Sequence, residues 1–158
     1  MKKCGFEPLV NENSRILILG TIPSIESMRK QERYGHKSNQ FWKILFTLFE
    51  KPFPDNYEEK NALLTESNIA IWDVLHSCDI QGSDDGSIKN PVPNDLDRLY
   101  RTTAIQTTFT TGSKATALYK RFFHQDPIAL PSTSPANCRF YNYEKLKQAY
   151  GIILEYLS

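Results

Sequence analysis

The chain has 158 residues, 40% hydrophobic and 23% charged, enough to build one core without disulfides or metals. Lys and Arg number 19 against 18 Asp and Glu, a net charge of +1, so a basic nucleic-acid coat and an acidic solvating tail are both excluded and any polyanion must be held by a local patch. Cys4, Cys78 and Cys138 are too few and too scattered for a disulfide framework or a zinc knuckle; MKKCGFEPLV has no signal-like apolar run, and nothing approaches the ~20 apolar residues of a membrane span, so the expected setting is soluble and cytoplasmic.

Arg15-Ile16-Leu17-Ile18-Leu19, ending at Gly20, predicts a strand buried on both faces, as in a parallel sheet. Phe41, Ile44, Leu45 and Leu48 recur at helical spacing, and Trp42, Phe46 and Phe49 widen the apolar face until only Lys43 and Thr47 stay polar, which predicts a mostly buried helix. Asn56-x-x-Glu59 resembles a capping box for a helix carrying Leu63 and Leu64. Ile69 to Leu75 is a second strand-like run, and Asn94 is placed to cap a short helix with Leu96, Leu99 and Tyr100. Ala104 to Thr110 is a β-branched third strand. Ala115, Leu118, Tyr119 and Phe122 form a helical stripe, and Pro127 to Leu130 a short fourth strand. Tyr143, Leu146, Tyr150, Ile153, Leu154 and Leu157 mark one last helix running nearly to the terminus.

No repeat, low-complexity tract or linker divides the chain, so one domain over 1–158 is expected. Alternating strands and helices predict a three-layer α/β/α domain with a short, mainly parallel central sheet. Ligands bind outside the carboxyl ends of such strands, which here are Gly20 to Asn39, Asp73 to Pro93, Thr110 to Lys114 and Pro131 to Asn137. The two longest are read as functional loops.

Several familiar chemistries fail. Thr111-Gly112-Ser113-Lys114 lacks the first glycine of a phosphate loop and has Ala115 where the hydroxyl should be, so it reads as a plain helix start whose Lys114 could still hold one phosphate. There is no GxSxG or HExxH, and His36, His76 and His124 are too dispersed to bind a metal. The strand-end loops remain: Gly20-Thr21-Ile22-Pro23-Ser24, Gly35 to Trp42, and Pro131-Ser132-Thr133-Ser134-Pro135-Ala136-Asn137. The last is stiffened by two prolines and nearly uncharged, which suits shape and hydrogen-bond recognition better than acid–base work.

These residues resemble the uracil-DNA glycosylase superfamily, and within it the hypoxanthine-DNA (deoxyinosine) glycosylase branch. The Gly20 to Ser24 turn is similar to the first superfamily motif, His36 to Trp42 to the H-x-x-N-x-F-W block of mismatch-type members, and Pro131 to Asn137 to the second motif. Ile71 to Leu75 and the Gly82–Asp95 stretch also resemble the deoxyinosine branch. The resemblance implies a cofactor-free, monofunctional DNA glycosylase working as a monomer on double-stranded, or also single-stranded, DNA at the nucleoid. It flips a deaminated base, hypoxanthine first, and hydrolyses its N-glycosidic bond.

One departure shapes the site reading. Many members carry a catalytic Asn or Asp near Thr21 or Ile22, and neither residue can take that role. From the residues alone, Asn39 or its neighbour Ser38 reads as a cap for the following helix; the resemblance implies instead that Asn39 positions the attacking water. Gly20, Thr21, Ile22, Pro23, Ser24, Phe41, Trp42 and Asp73 are the expected base and water pocket, with Phe41 or Trp42 stacking on the base or lying in the core. Asp73 either replaces the base-reading Asn of uracil-specific relatives or braces a loop. Ser132, Thr133 and Ser134 are expected on phosphates, Pro135, Ala136 and Asn137 as the wedge behind Pro131, and Lys37, Lys114 and Arg139 as weaker phosphate contacts. A uracil- or mispair-directed glycosylase, a non-catalytic nucleic-acid-binding module and a small α/β domain for another ligand are the competing readings.

Overall fold

The computed structural model describes residues 2–82, 84–137 and 142–157. A short strand, β1 (Lys2–Cys4), precedes the central strand β2 (Ile16–Gly20). All five β2 residues are buried because side chains alternate across the sheet and both faces are covered. Ile16 and Ile18 enter one apolar cluster, Leu17 and Leu19 the other.

Helix α1 (Ile25–Lys30) follows, its start capped by Ser24, and α2 (Phe41–Leu48) and α3 (Tyr57–Glu66) come next. The expected cap of α3 is present, with the Asn56 side chain accepting from the Glu59 N–H. Strand β3 (Ile69–Asp73) is followed by β4 (Leu75–Asp79), β5 (Lys89–Pro93) and α4 (Leu96–Thr102). The remainder is β6 (Thr107–Thr111), α5 (Ser113–Phe123), β7 (Ile128–Leu130), α6 (Tyr143–Tyr150) and α7 (Ile152–Glu155).

The main sheet is parallel throughout, in the order β3-β2-β6-β7, with Ile18 registered against Ile71 on one side and Phe109 on the other. Helices α2 and α6 contribute Phe41, Leu45, Leu146 and Tyr150 to one face; α4 and α5 contribute Leu96, Leu99, Leu118 and Tyr119 to the other. The fold is thus the expected α/β layering with a mainly parallel sheet. No helix among the described residues is long and apolar enough to cross a membrane.

Four expectations about elements need correction. The stretch from Asp73 to Pro93 is no long loop: β4 and β5 pair antiparallel there, and β1 joins β4 to complete a second sheet in the order β1-β4-β5. Pro91 and Pro93 concealed β5; proline cannot donate to a ladder and is tolerated on an edge strand, which β5 is. The Ile69–Leu75 run is divided at Val74, where β3 gives way to β4, although the Val74 N–H still reaches the Gly20 carbonyl at 2.8 Å. The terminal helix is interrupted at Gly151, leaving Leu154 exposed while Ile153 stays buried.

The fourth concerns Asn94. The cap of α4 is Asp95, whose side chain accepts from the Arg98 N–H. Asn94 is buried instead, donating from Nδ2 to the carbonyls of Asp73 (2.8 Å) and Leu75 (3.1 Å) while its own N–H reaches the Val74 carbonyl at 2.8 Å. One side chain thereby ties down the turn that ends β3. Asn94→Ala leaves two carbonyls without this donor and is expected to cost about 2–4 kcal/mol in urea unfolding; a loss under about 0.5 kcal/mol would show the turn holding itself.

Candidate active site

The carboxyl ends of the parallel strands open onto a cavity of about 440 Å3, within the usual range for small-molecule pockets. The end of β2 supplies Gly20, Thr21, Ile22, Pro23 and Ser24, the end of β3 supplies Asp73, and the end of β6 supplies Thr111. Ser132, Thr133 and Ser134 arrive after β7, and Asn39 from the entry to α2. A Cβ on Gly20 would lie 2.8 Å from Asp73 Oδ1, so the glycine makes room for the carboxyl group. The backbone N–H groups of Thr21 and Ile22 have no acceptor among the described residues and are open to a ligand.

Asn39 lines the cavity and is not the expected helix cap: the N-cap position of α2 is Gln40, which has no side-chain cap bond, and Asn39 braces the turn just ahead of it. Its Oδ1 accepts from the Phe41 N–H at 2.9 Å and from the Thr133 hydroxyl at 2.8 Å. Because the Phe41 group can only donate, the amide orientation follows from the bonding, and the oxygen's two lone pairs are both engaged. The Asn39 NH2 group makes no hydrogen bond among the described residues. Asn39 therefore meets a ligand as a donor.

The aromatic expectation is corrected. Phe41 is 0% and Trp42 3% exposed, and neither reaches the cavity; Trp42 is fixed by its Nε1 donating to the Arg33 carbonyl at 2.8 Å. The wall instead carries Tyr34, stacked on Phe41 with centroids 3.8 Å apart and planes 15° from parallel, and Trp72. Tyr34 holds φ at +53°, a left-handed conformation uncommon outside glycine and often found at functional sites.

The 131–137 loop is also more committed than its composition implied. Thr133 is buried with its hydroxyl on Asn39, so that hydroxyl is not offered to a phosphate. Ser132 Oγ donates to Ser134 Oγ and accepts from the Ser134 N–H, while Asn137 Nδ2 donates to the Ser132 carbonyl at 2.8 Å. Pro135 and Asn137 belong to a 3-10 turn, and Pro131, Ser132 and Asn137 border a second depression beside the start of α5. Lys37 is exposed and away from the cavity. Lys114, in the first turn of α5, acts electrostatically on Asp85. Arg139 and the side chain of Ala136 lie outside the described residues.

Residues that carried no site assignment in the sequence also line the wall, among them Tyr34, Lys3, Arg33, Trp72, Asp84 and Asp85. Arg33 sends one guanidinium nitrogen to the Glu7 carbonyl and lies over the Phe6 ring, while its Nε is buried without a partner among the described residues. Burial raises the Asp73 carboxyl to about 6, with Arg33 and Lys3 pulling in the opposite direction. Burial also lowers the Lys3 ammonium, opposed by Cys78, Asp85 and Asp73. No group of three or more His, Cys, Asp or Glu among the described residues could hold a metal ion. The cavity thus offers an aromatic wall, several donors and the buried Asp73 carboxyl group, with those of Asp84 and Asp85 also on the wall, a set suited to a flat, polar-edged ring.

The sequence model of the uracil DNA glycosylase superfamily matches residues 7–158. A hypoxanthine DNA glycosylase of Methanosarcina barkeri is 37% identical over 100 residues, spanning 63% of this chain and 63% of that protein. One of Methanosarcina acetivorans is 34% identical over 144 residues, spanning 89% and 91%. A solution NMR structure of a Methanosarcina acetivorans protein, provisionally named a uracil DNA glycosylase, matches with a TM-score of 0.84 at 32% identity over 99% of both chains.

Proposed function

The chain belongs to the uracil DNA glycosylase superfamily, and from that premise we propose that it excises hypoxanthine from deoxyinosine in DNA, acting as a monomer on duplex substrate. The observation that carries the reading is the cavity: an uncommitted Asn39 NH2 group and the stacked Tyr34 ring share one recess at the ends of the parallel strands.

A base inside a duplex cannot reach such a recess, so the nucleotide is flipped out at a cost of a few kcal/mol, least for a damaged or mispaired base. The base lies against Tyr34, whose ring Phe41 supports from behind. Cleavage of the C1′–N bond proceeds through an oxocarbenium-like transition state. Water forms the new C1′–O bond, the departing base takes the electron pair of the broken C1′–N bond, and the proton shed by the water passes to solvent or to the released base. The Asn39 NH2 holds the water by donating to its oxygen and leaves a lone pair free to attack; it orients the water without removing its proton. Because the cation forms early, that suffices. The Thr21 and Ile22 N–H groups are donors for the charge growing on the base. With a net charge of +1, few phosphates are neutralised and the salt dependence of binding is shallow.

A gel assay on duplexes containing deoxyinosine, deoxyuridine, deoxyxanthosine or a G·T mispair, with alkali to reveal abasic sites, tests this. Alkali-labile product is expected first and fastest from deoxyinosine. Product from deoxyuridine alone would overturn the base assignment; no product from any duplex, with DNA binding retained, would leave a binding module.

A further inference from the structure

Among the described residues two charged side chains are buried, Lys3 and Asp73, at 7% and 8% exposure, and both line the cavity. They come from different sheets. Pairing of β1 with β4, Lys3 opposite Cys78, brings a lysine from the start of the chain to the carboxyl end of β3. The ammonium donates to the Pro23 carbonyl at 2.9 Å, which leaves further N–H groups unused. The Asp73 carboxyl accepts no hydrogen bond and forms no ion pair among the described residues, yet it and Lys3 feel each other's charge. Arg33 acts on Asp73 from outside the pair, Cys78 and Asp85 act on Lys3, and the Tyr34 phenol lies beside Asp73. Buried charges are retained where something completes their bonding. Here the missing partner is a group with an acceptor for Lys3 next to a donor for Asp73.

That pattern is a lactam edge, a C=O beside a ring N–H. It is also what deamination creates. Adenine presents an exocyclic NH2 donor beside a ring-nitrogen acceptor; replacing the NH2 by oxygen and moving a proton to the ring reverses both polarities. We propose that Lys3 and Asp73 together read the lactam edge of the flipped base, Lys3 donating to its carbonyl oxygen and Asp73 accepting from its ring N–H. Adenine in the same pose sets its NH2 against an ammonium and its bare ring nitrogen against a carboxylate. Rejection of adenine follows from the same two residues that accept its deaminated form. This inference rests on the base-excision reading above.

The test compares single-turnover release of hypoxanthine with release of unsubstituted purine from deoxynebularine, which lacks both the oxygen and the ring N–H, in otherwise identical duplexes. Wild type is expected to favour deoxyinosine by at least 100-fold. Lys3→Met and Asp73→Leu should each shrink that preference at least tenfold, and Lys3→Arg should keep it within about threefold. A role confined to supporting the fold would slow both substrates in proportion, so variant preferences within twofold of wild type overturn the proposal while base excision stands. Release of neither base by wild type overturns the hypoxanthine assignment, and this reading with it. If circular dichroism shows that Lys3→Met does not fold, the preference of Asp73→Leu decides between the two outcomes.

Discussion

Replacing Asn39 by Ala is expected to slow deoxyinosine excision about 100- to 1,000-fold in single turnover, the usual consequence of losing one preorganised polar group at a reacting centre. The same change removes the acceptor for the Phe41 N–H and the Thr133 hydroxyl, so it costs stability as well, about 1–2 kcal/mol. Asn39→Asp separates the two effects. An aspartate keeps an oxygen where both donors point and loses only the NH2 group that faces the ligand. Urea unfolding of Asn39→Asp should return to within about 1 kcal/mol of wild type, while excision stays depressed at least 50-fold. Recovery of the rate along with the stability would show that the group works as an acceptor. A loss under fivefold in Asn39→Ala would reduce Asn39 to a structural brace ahead of α2.

The sequence carried the parallel sheet because its signal is local: Ile16 to Leu19 is apolar without a break, which two covered faces require and one covered face would not. The local bond from the Phe41 N–H to Asn39 and the cavity-lining Gly20–Ser24 turn were legible for the same reason, as they depend on neighbours in the chain, although the cap position itself falls on Gln40. What the sequence concealed depends on distant pairing. Lys3 reaches the cavity through β1 against β4, a pairing 75 residues apart in the chain, and nothing in Lys2-Lys3-Cys4 distinguishes it from a solvated start. Phe41 and Trp42 carried the expected aromatic chemistry, but a helix with apolar residues nearly all round is buried, and the wall fell to Tyr34 in a segment without periodicity. Of the expected phosphate hydroxyls, that of Thr133 is spent on Asn39, a contact between residues 94 apart that composition cannot reveal.

Asp73→Asn is expected to make the protein more stable at neutral pH while slowing excision. Burial holds the Asp73 carboxyl at about 6 against an ordinary 3.8, so between those values the folded chain binds more protons at this site than the unfolded chain does. Stability from this residue therefore falls as pH rises from about 4 to about 6, and above that the ionised group burdens the fold by about 3 kcal/mol. An asparagine has the shape of the carboxyl and no charge to desolvate. Taken as a difference from wild type, which cancels the other carboxylates, the gain in urea unfolding should be about 2–3 kcal/mol at pH 7.5 and near zero at pH 3.5. A difference that does not change with pH would mean that Asp73 is solvated when ionised. A chain that keeps a buried, unpaired carboxylate beside Gly20, where a Cβ would collide with it, holds a destabilising group in the one recess where a ligand can satisfy it. Stability gained by its removal, together with excision lost, is the signature of a charge retained for the substrate.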